Sequence, residues 1–159
     1  MYLNALEFLE EEREAWRPYE ALDTLSDEQL DVPVAAAHGW SGRDLIGHLV
    51  AWQGFALEVA RELAVGEHSA TKDRLDREWD ERGGEAVNTE IDATWRALPL
   101  SEVRERLRNV PGELRGYLTV VPEVRWLKNA DMLRYFTDET IDHYLEHQPD
   151  LDAILAAAR

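Results

Sequence analysis

The sequence predicts an all-α fold, and three observations lead to that prediction. Apolar residues recur at intervals of three and four along most of the chain, as they do on one face of a helix. No stretch of any length alternates apolar and polar residues in the manner of a strand. The 159 residues, 45% of them hydrophobic, suit one domain spanning 1–159 with its own core. A four-helix bundle is the economical arrangement for such a chain.

The first helix is predicted over residues 2–24, where leucines and aromatic residues fall near one face and a run of glutamates falls mostly outside it. Ser26 and Gln29 have the spacing of a capping box, which opens a short turn. Pro33 and Gly39 then indicate a loop.

The second long helix is the best marked in the sequence. Ser41 is its predicted N-cap, Asp44 stands in capping-box spacing, and Gly66 is its predicted end. One apolar stripe contains Leu45, His48, Trp52, Phe55 and Val59. A histidine therefore lies within the face that is expected to be buried.

The remaining elements follow a long polar segment. Residues from about 66 to 99 are predicted to form a crossover between the second and third long helices, and it carries one extra short helix at 85–99. A third long helix is predicted over 100–121, with Ser101 as its cap and a kink at Pro111.

The last long helix is predicted from about 128 to 147. Pro149 suits the first turn of a helix, so a separate short terminal helix is predicted to begin there.

Charge and composition exclude several classes of function. The chain has 33 acidic residues and 17 Lys and Arg, which gives a formal net charge of −16. This charge disfavours nucleic acid and anionic membrane surfaces as partners. No segment resembles a signal peptide or a bilayer span, so a cytoplasmic location is expected. The chain lacks cysteine, which excludes disulfides, thiolate zinc sites and a cysteine nucleophile.

The five histidines fall into two groups. His38 and His68 lie in a loop and a polar connection, where exposed side chains are expected. His143 and His147 are one helical turn apart, so both imidazoles leave the same face. His48 adds a third, inward imidazole, which must find a partner if it is buried. Three neutral histidines are a common ligand set for a divalent ion, and they leave coordination positions open.

These three histidines also predict how the bundle is wound. His48 lies early in its predicted helix and His147 late in its own, so the two helices must be antiparallel for the side chains to meet. That requires up-down-down-up order with a long crossover between the second and third helices, and residues 66–99 supply a connection of that size.

The residues around the histidines admit more than one interpretation. Residues 143–147 match H-x-x-E-H, the inverted zinc-protease motif. The protease interpretation is rejected, because those enzymes take a further ligand well after the motif and only 12 residues follow His147. Asp142 is a candidate hydrogen-bond acceptor for a ligand histidine, or else a solvated carboxylate. Trp52, one turn after His48, is expected near the metal. Arginines at 104, 106, 108 and 115 either bind the carboxylates of a thiol cofactor or form a mixed-charge surface.

Two segments resemble the DinB-like superfamily of four-helix bundles. "GWSGRDLIGHLVAW" (39–52) is similar to a W-S-x-x-D…H-L-x-x-W segment of that superfamily, and "TDETIDHYLEH" (137–147) is similar to its closing D-H-x-x-x-H. The likeness is strongest to the maleylpyruvate isomerase N-terminal type and to the ClbS/DfsB type. It implies an up-down-down-up bundle with a divalent metal on His48, His143 and His147.

The resemblance also implies an activity. Superfamily members include thiol-dependent transferases and isomerases that use mycothiol, bacillithiol or glutathione, and hydrolase-like resistance proteins. The mycothiol-dependent isomerases usually have a glutamate among the ligands and a further C-terminal domain, whereas this sequence has the His-x-x-x-His ending, so isomerase activity is not carried over. The expected function is a metal-dependent thiol transferase or small-molecule hydrolase, and the alternative is a metal-binding resistance protein that sequesters a small molecule.

The expected cofactor is a divalent metal, with zinc ahead of nickel and iron, and a low-molecular-weight thiol is a further candidate. No catalytic residue is assigned, because the attacking group is expected to be a water or thiolate activated by the metal. The expected partner is a small-molecule substrate. An apolar helix face left over on a small bundle makes a homodimer another expectation.

Overall fold

The fold is known from a computed structural model that describes residues 1–159, and its regular structure is entirely helical. The α-helices are α1 (Ala5–Trp16), α2 (Asp27–Leu30), α3 (Gly42–Val65), α4 (Ala70–Arg82), α5 (Gly84–Arg96), α6 (Leu100–Val120), α7 (Ala130–Glu139) and α8 (Ile141–Ala157). Short 3-10 helices span Arg17–Thr24, Ala35–Ala37 and Glu123–Arg125. The all-α prediction is confirmed. None of the helices has the length and apolar character needed to cross a membrane.

Four helical columns make the bundle: α1 with its 3-10 extension, α3, α6, and α7 with α8. Ion pairs between α1 and α6 give their relative direction. Glu12 contacts Arg115, while Asp23, further along the chain, contacts Arg104, which is earlier in α6. The first and third columns are therefore antiparallel.

The second and third columns run in the same direction. Arg43, at the start of α3, donates to the carbonyls of Arg96 and Leu98 just before α6 begins. Arg61, near the end of α3, contacts Glu113 in the second half of α6. A parallel pair of neighbouring helices needs a long connection, and residues 66–99 provide it.

The fourth column runs against α3. A Cβ atom at Gly42 would lie 3.5 Å from Ile154, late in α8, whereas His48 contacts His143, early in α8. The order is thus up-down-down-up, as predicted. The helix bounds behind that prediction were wrong, however, because α8 starts at Ile141 and continues well beyond His147.

The crossover holds two helices and not the one that was predicted. Helix α4 has little apolar periodicity, since Leu75 is its only buried residue, and this hid it in the sequence. Its first turn is fixed by Glu62 of α3, which accepts hydrogen bonds from the hydroxyl of Ser69 and from the amide and hydroxyl of Thr71. Gly83 then adopts φ 81°, a conformation open to glycine, and turns the chain into α5.

The last two helices are separated at Thr140 and not, as predicted, at Pro149. The backbone of Thr140 leaves the helical region (φ −126°, ψ −94°), and its hydroxyl donates to the carbonyl of Phe136. That bond satisfies a carbonyl which the interrupted helical ladder releases. Pro149 lies inside α8 on its exposed side, where water can reach the carbonyl of Leu145 that a proline cannot pair.

Both predicted capping boxes are present, at Ser26 and Ser41. The first helix is shorter than predicted, because the chain tightens to a 3-10 helix after Trp16, with Pro18 in its first turn. Helix α6 passes through the buried Pro111, and its N-cap residue is Pro99 instead of Ser101.

Candidate metal centre

His48, His143 and His147 meet at the interface of α3 and α8. The Nε2 atoms of His48 and His143 are 2.9 Å apart, and one ring nitrogen from each of the three residues lies within 4.8 Å of the others. His143 and His147 project from successive turns of α8, and His48 faces them from the second turn of α3. Residues nearly a hundred positions apart in sequence therefore form one cluster.

The cluster is poorly hydrated, which keeps two of its imidazoles neutral. Burial, together with the nearby His147, lowers the pKa of His48 to about 4. Burial, with His48 and His147 as neighbours, lowers the pKa of His143 to about 3. A metal ion binds imidazole only through an unprotonated nitrogen, so these two rings are ready to act as ligands at neutral pH.

Asp150 orients the third imidazole. Its Oδ2 atom lies 2.9 Å from Nδ1 of His147, which leaves Nε2 of that ring free. The carboxylate is 5% exposed, and its other oxygen lies 3.5 Å from Nε2 of the exposed His38. Asp142, the acceptor suggested by the sequence, is exposed and makes no hydrogen bond to a histidine, so that expectation is corrected.

The signal for Asp150 was its spacing of three from His147, which places both on one face of a helix. Sequence reasoning misses Asp150, because Pro149 predicts the start of a new helix between the two residues. Trp40 was also missed: its ring stacks on His147 at 5.4 Å and lies 5.0 Å from His48. Its position two residues before the helix that carries His48 was the available signal.

The histidines form part of the wall of a cavity of about 610 Å³. Trp52 is in this wall, and its indole nitrogen donates to Asn88 of α5 across 3.0 Å, which fixes the ring. The crossover and α7 supply most of the other lining residues: Lys72, Leu75, Asp76, Trp79, Asp131, Arg134, Tyr135, Asp138 and Glu139. Glu146 lies at the same cavity and is exposed.

The arginines of α6 belong to other surfaces. Arg104 contacts Asp23 and Asp27, Arg108 contacts Asp23, and Arg106 contacts Glu102 within its own helix. None of them lines the histidine cavity. Arg115, the fourth of these arginines, pairs with the buried Glu12. Carboxylates of the chain itself therefore pair with all four, which favours the mixed-charge interpretation over a binding site for the carboxylates of a thiol cofactor.

The donor set fits a borderline divalent ion. In a tetrahedral zinc site, Zn–N bonds of about 2.0–2.1 Å place ligand nitrogens roughly 3.3 Å apart. The observed separations, from 2.9 Å to at most 4.8 Å, bracket that value, and small side-chain rotations would equalise them. The Nδ1 atoms of His48 and His143 are buried without a hydrogen-bond partner, so Asp150 is the only carboxylate that orients a ring of the cluster.

A family model described as the DinB superfamily matches residues 8–150, which include all three histidines and Asp150. No curated protein and no solved structure matches the chain.

Proposed function

The chain belongs to the DinB superfamily, and on that premise we propose that it is a metal-dependent enzyme acting on a small molecule. His48, His143 and His147 would hold the divalent ion, with zinc as the first candidate and nickel or iron as the others. The reaction would be a thiol transfer or a hydrolysis. The observation that carries this proposal is the convergence of three imidazoles on the wall of a cavity.

The donor set leaves room for chemistry. Structural zinc sites are usually closed by four protein ligands, whereas three histidines leave at least one position for a small molecule. A divalent ion bound there would lower the pKa of a water or thiol that joined it and would polarise a substrate group. No cysteine, and no serine paired with a histidine, offers an alternative nucleophile at this cavity.

The residues of the chain would have distinct tasks around that position. Asp150 fixes the tautomer of His147, so that Nε2 presents its lone pair. Trp40 covers one side of the cluster and limits the access of bulk water. Trp52, held by Asn88, would orient the substrate beside the open position.

The test begins with metal content. Wild-type protein and the single variants His48→Ala, His143→Ala and His147→Ala are supplemented with zinc, nickel or iron, desalted and analysed for bound metal. The proposal expects near one ion per chain in the wild type and a large loss in each variant. His68→Ala is a matched control, because His68 is exposed, pairs with Asp73 and is not part of the histidine cluster. Equal metal in wild type and cluster variants would refute the site.

Activity is tested with the loaded protein. Electrophilic substrates are offered with and without low-molecular-weight thiols, and hydrolysis is followed in parallel. Turnover that needs both the metal and the cluster histidines supports an enzyme. Tight binding of a panel member without turnover would instead favour sequestration.

A further inference from the structure

A second cavity, of about 530 Å³, lies between α3, α4, α5 and α6, and we call it the apolar cavity. Leu75 of α4 is the only residue that lines both this cavity and the one beside the histidines. Helix α4 has no other buried residue, so it meets the bundle at a single side chain and leaves space on either side of it. A volume of this size is ordinary for a small-molecule site.

The wall of the apolar cavity is largely hydrocarbon and aromatic. Nine of its 19 lining residues are hydrophobic, against four of 15 in the histidine cavity, so the two spaces suit different molecules. The buried part of the wall comes from α3 and α5 and includes Val50, Leu57, Val87, Ile91 and Trp95. A molecule that covered these side chains would remove apolar surface from water, which favours binding.

The charged groups of the same wall are already paired with one another. The arginines that line it, at 61, 74, 82 and 106, each pair with at least one glutamate, and all four lining glutamates are among those partners. The hydroxyl of Thr94 donates to a carbonyl of its own helix. A charged ligand would therefore find no unpaired group of opposite sign in this cavity.

Gly54 marks unfilled space in the wall. Glycine disfavours a helix interior, yet Gly54 lies in the middle of the 24-residue α3. Gly47, two turns earlier, has a packing reason, since an added Cβ would lie 3.0 Å from the side chain of Trp95. At Gly54 an added Cβ would meet nothing within 4 Å beyond its own stretch of helix. An occupant can therefore lie directly against the backbone of α3.

From the apolar wall, its paired charges and the space at Gly54, we propose that this cavity binds a small, uncharged molecule that is mostly hydrocarbon or aromatic. The site is independent of the metal, because no histidine lines it. A helix from a partner protein fits less well. Such a helix is about 10 Å across, so three turns of it would fill roughly 1,300 Å³.

The probe pair is N-phenyl-1-naphthylamine, which is uncharged, and 8-anilino-1-naphthalenesulfonate, which adds an anionic sulfonate to the same ring system. Each is titrated into the full metal-free chain and followed by its fluorescence, which rises in apolar surroundings. About 0.15 M salt screens the net charge of the protein. The uncharged probe is expected to bind at least about tenfold more tightly, because a sulfonate would lose water without gaining a partner.

Variants locate the binding. Gly54→Leu puts a side chain into the cavity and should weaken the uncharged probe by at least about tenfold. Gly116→Leu is the matched control, because Gly116 is also a helical glycine with nothing within 4 Å of an added Cβ, but it lies outside the cavity. Leucine favours a helix more than glycine does, so both variants are expected to fold, which circular dichroism checks.

The outcomes decide both the place and the kind of ligand. Equal affinity in wild type and Gly54→Leu, or equal losses in Gly54→Leu and Gly116→Leu, would overturn the site. Tighter binding of the sulfonate would overturn the uncharged class. Sedimentation velocity tests another occupant: a wild-type dimer that becomes a monomer in Gly54→Leu would mean that a second copy of the chain covers this cavity, and the proposal would be wrong.

Discussion

The carboxylate of Asp150 lies 2.9 Å from Nδ1 of His147, one helical turn earlier on α8, and it does so beneath the protein surface. This bond selects the tautomer in which Nε2 of His147 is unprotonated. One ring nitrogen of His147 lies within 4.8 Å of those of the other two histidines. His48 and His143 have no such partner at Nδ1. The orientation of the cluster therefore depends on one carboxylate more than on any other group.

The first prediction concerns that carboxylate. Asp150→Asn should weaken zinc affinity by about tenfold, because an amide no longer supplies the charge that raises the basicity of His147. Affinity is measured by competition with a chromophoric chelator. Asp142→Asn, the exposed neighbour, should bind zinc like the wild type. Equal losses in both variants would show that general surface charge, and not this hydrogen bond, sets the affinity.

The second prediction concerns heat stability. An ion that binds only the folded chain stabilises it by about 2.7 kcal/mol at a free concentration of 100 times Kd. For a domain of this size that corresponds to a rise in Tm of roughly 5–10 °C. The rise is measured by calorimetry with zinc and with EDTA. In His147→Ala the two curves should coincide, and a rise as large as in the wild type would mean that the ion binds elsewhere.

The third prediction concerns pH. Burial raises the pKa of Glu139 to about 8 in the folded chain from an ordinary value of 4.5, so folding favours its protonated form. The contribution of Glu139 to the free energy of unfolding is fully present below about pH 4.5 and is lost as the pH rises through about 8. Urea unfolding of metal-free wild type from pH 5 to 9 should show that decline. The Glu139→Gln variant should show a flatter profile, and superimposable profiles would contradict the assignment.

The fourth prediction concerns the polar group inside the bundle. Glu12, 1% exposed, accepts from Arg115 at 2.9 Å and from the hydroxyl of Tyr144 at 2.9 Å, and Gln53 donates to that hydroxyl. Glu12→Ala would leave Arg115 and the buried hydroxyl of Tyr144 without this acceptor and should lower the free energy of unfolding by about 3 kcal/mol.

The control for this prediction is another Glu–Arg contact, on the surface. Glu113 pairs with Arg61 at 3.2 Å and is half exposed, so Glu113→Ala should cost less than about 1 kcal/mol. Both values come from urea denaturation at pH 7. If the two substitutions cost the same, burial does not govern the contribution of Glu12.

Much of the fold could be predicted because patterns among neighbouring residues specify its helix starts and buried faces. The capping boxes at Ser26 and Ser41 use short-range hydrogen bonds, which neighbouring residues specify. The stripe that contains His48 and the one-turn spacing of His143 and His147 fix which face each imidazole occupies. These features need no knowledge of the rest of the chain.

The predictions for other elements were wrong, because contacts between residues far apart in the sequence decide where those helices begin and end. Helix α4 has one buried residue, and its first turn is fixed by Glu62 from another helix. Pro149 stays helical because the carbonyl that it leaves unpaired faces solvent, while Thr140 breaks the helix without any proline or glycine. Sequence rules for helix ends give propensities, and packing overrides them.

The sequence by itself determined the all-α class and singled out the three histidines. It also predicted the up-down-down-up order, although with the wrong bounds for the last helix. Only the tertiary structure decided what surrounds them: that Asp150 and not Asp142 holds His147, that Trp40 covers the cluster, and that α4 and α7 place an acidic, aromatic wall beside it. The physical reason is range. Periodicity and caps are set within a few residues, whereas the partners of a buried polar group are chosen by helices that meet only after the chain has folded.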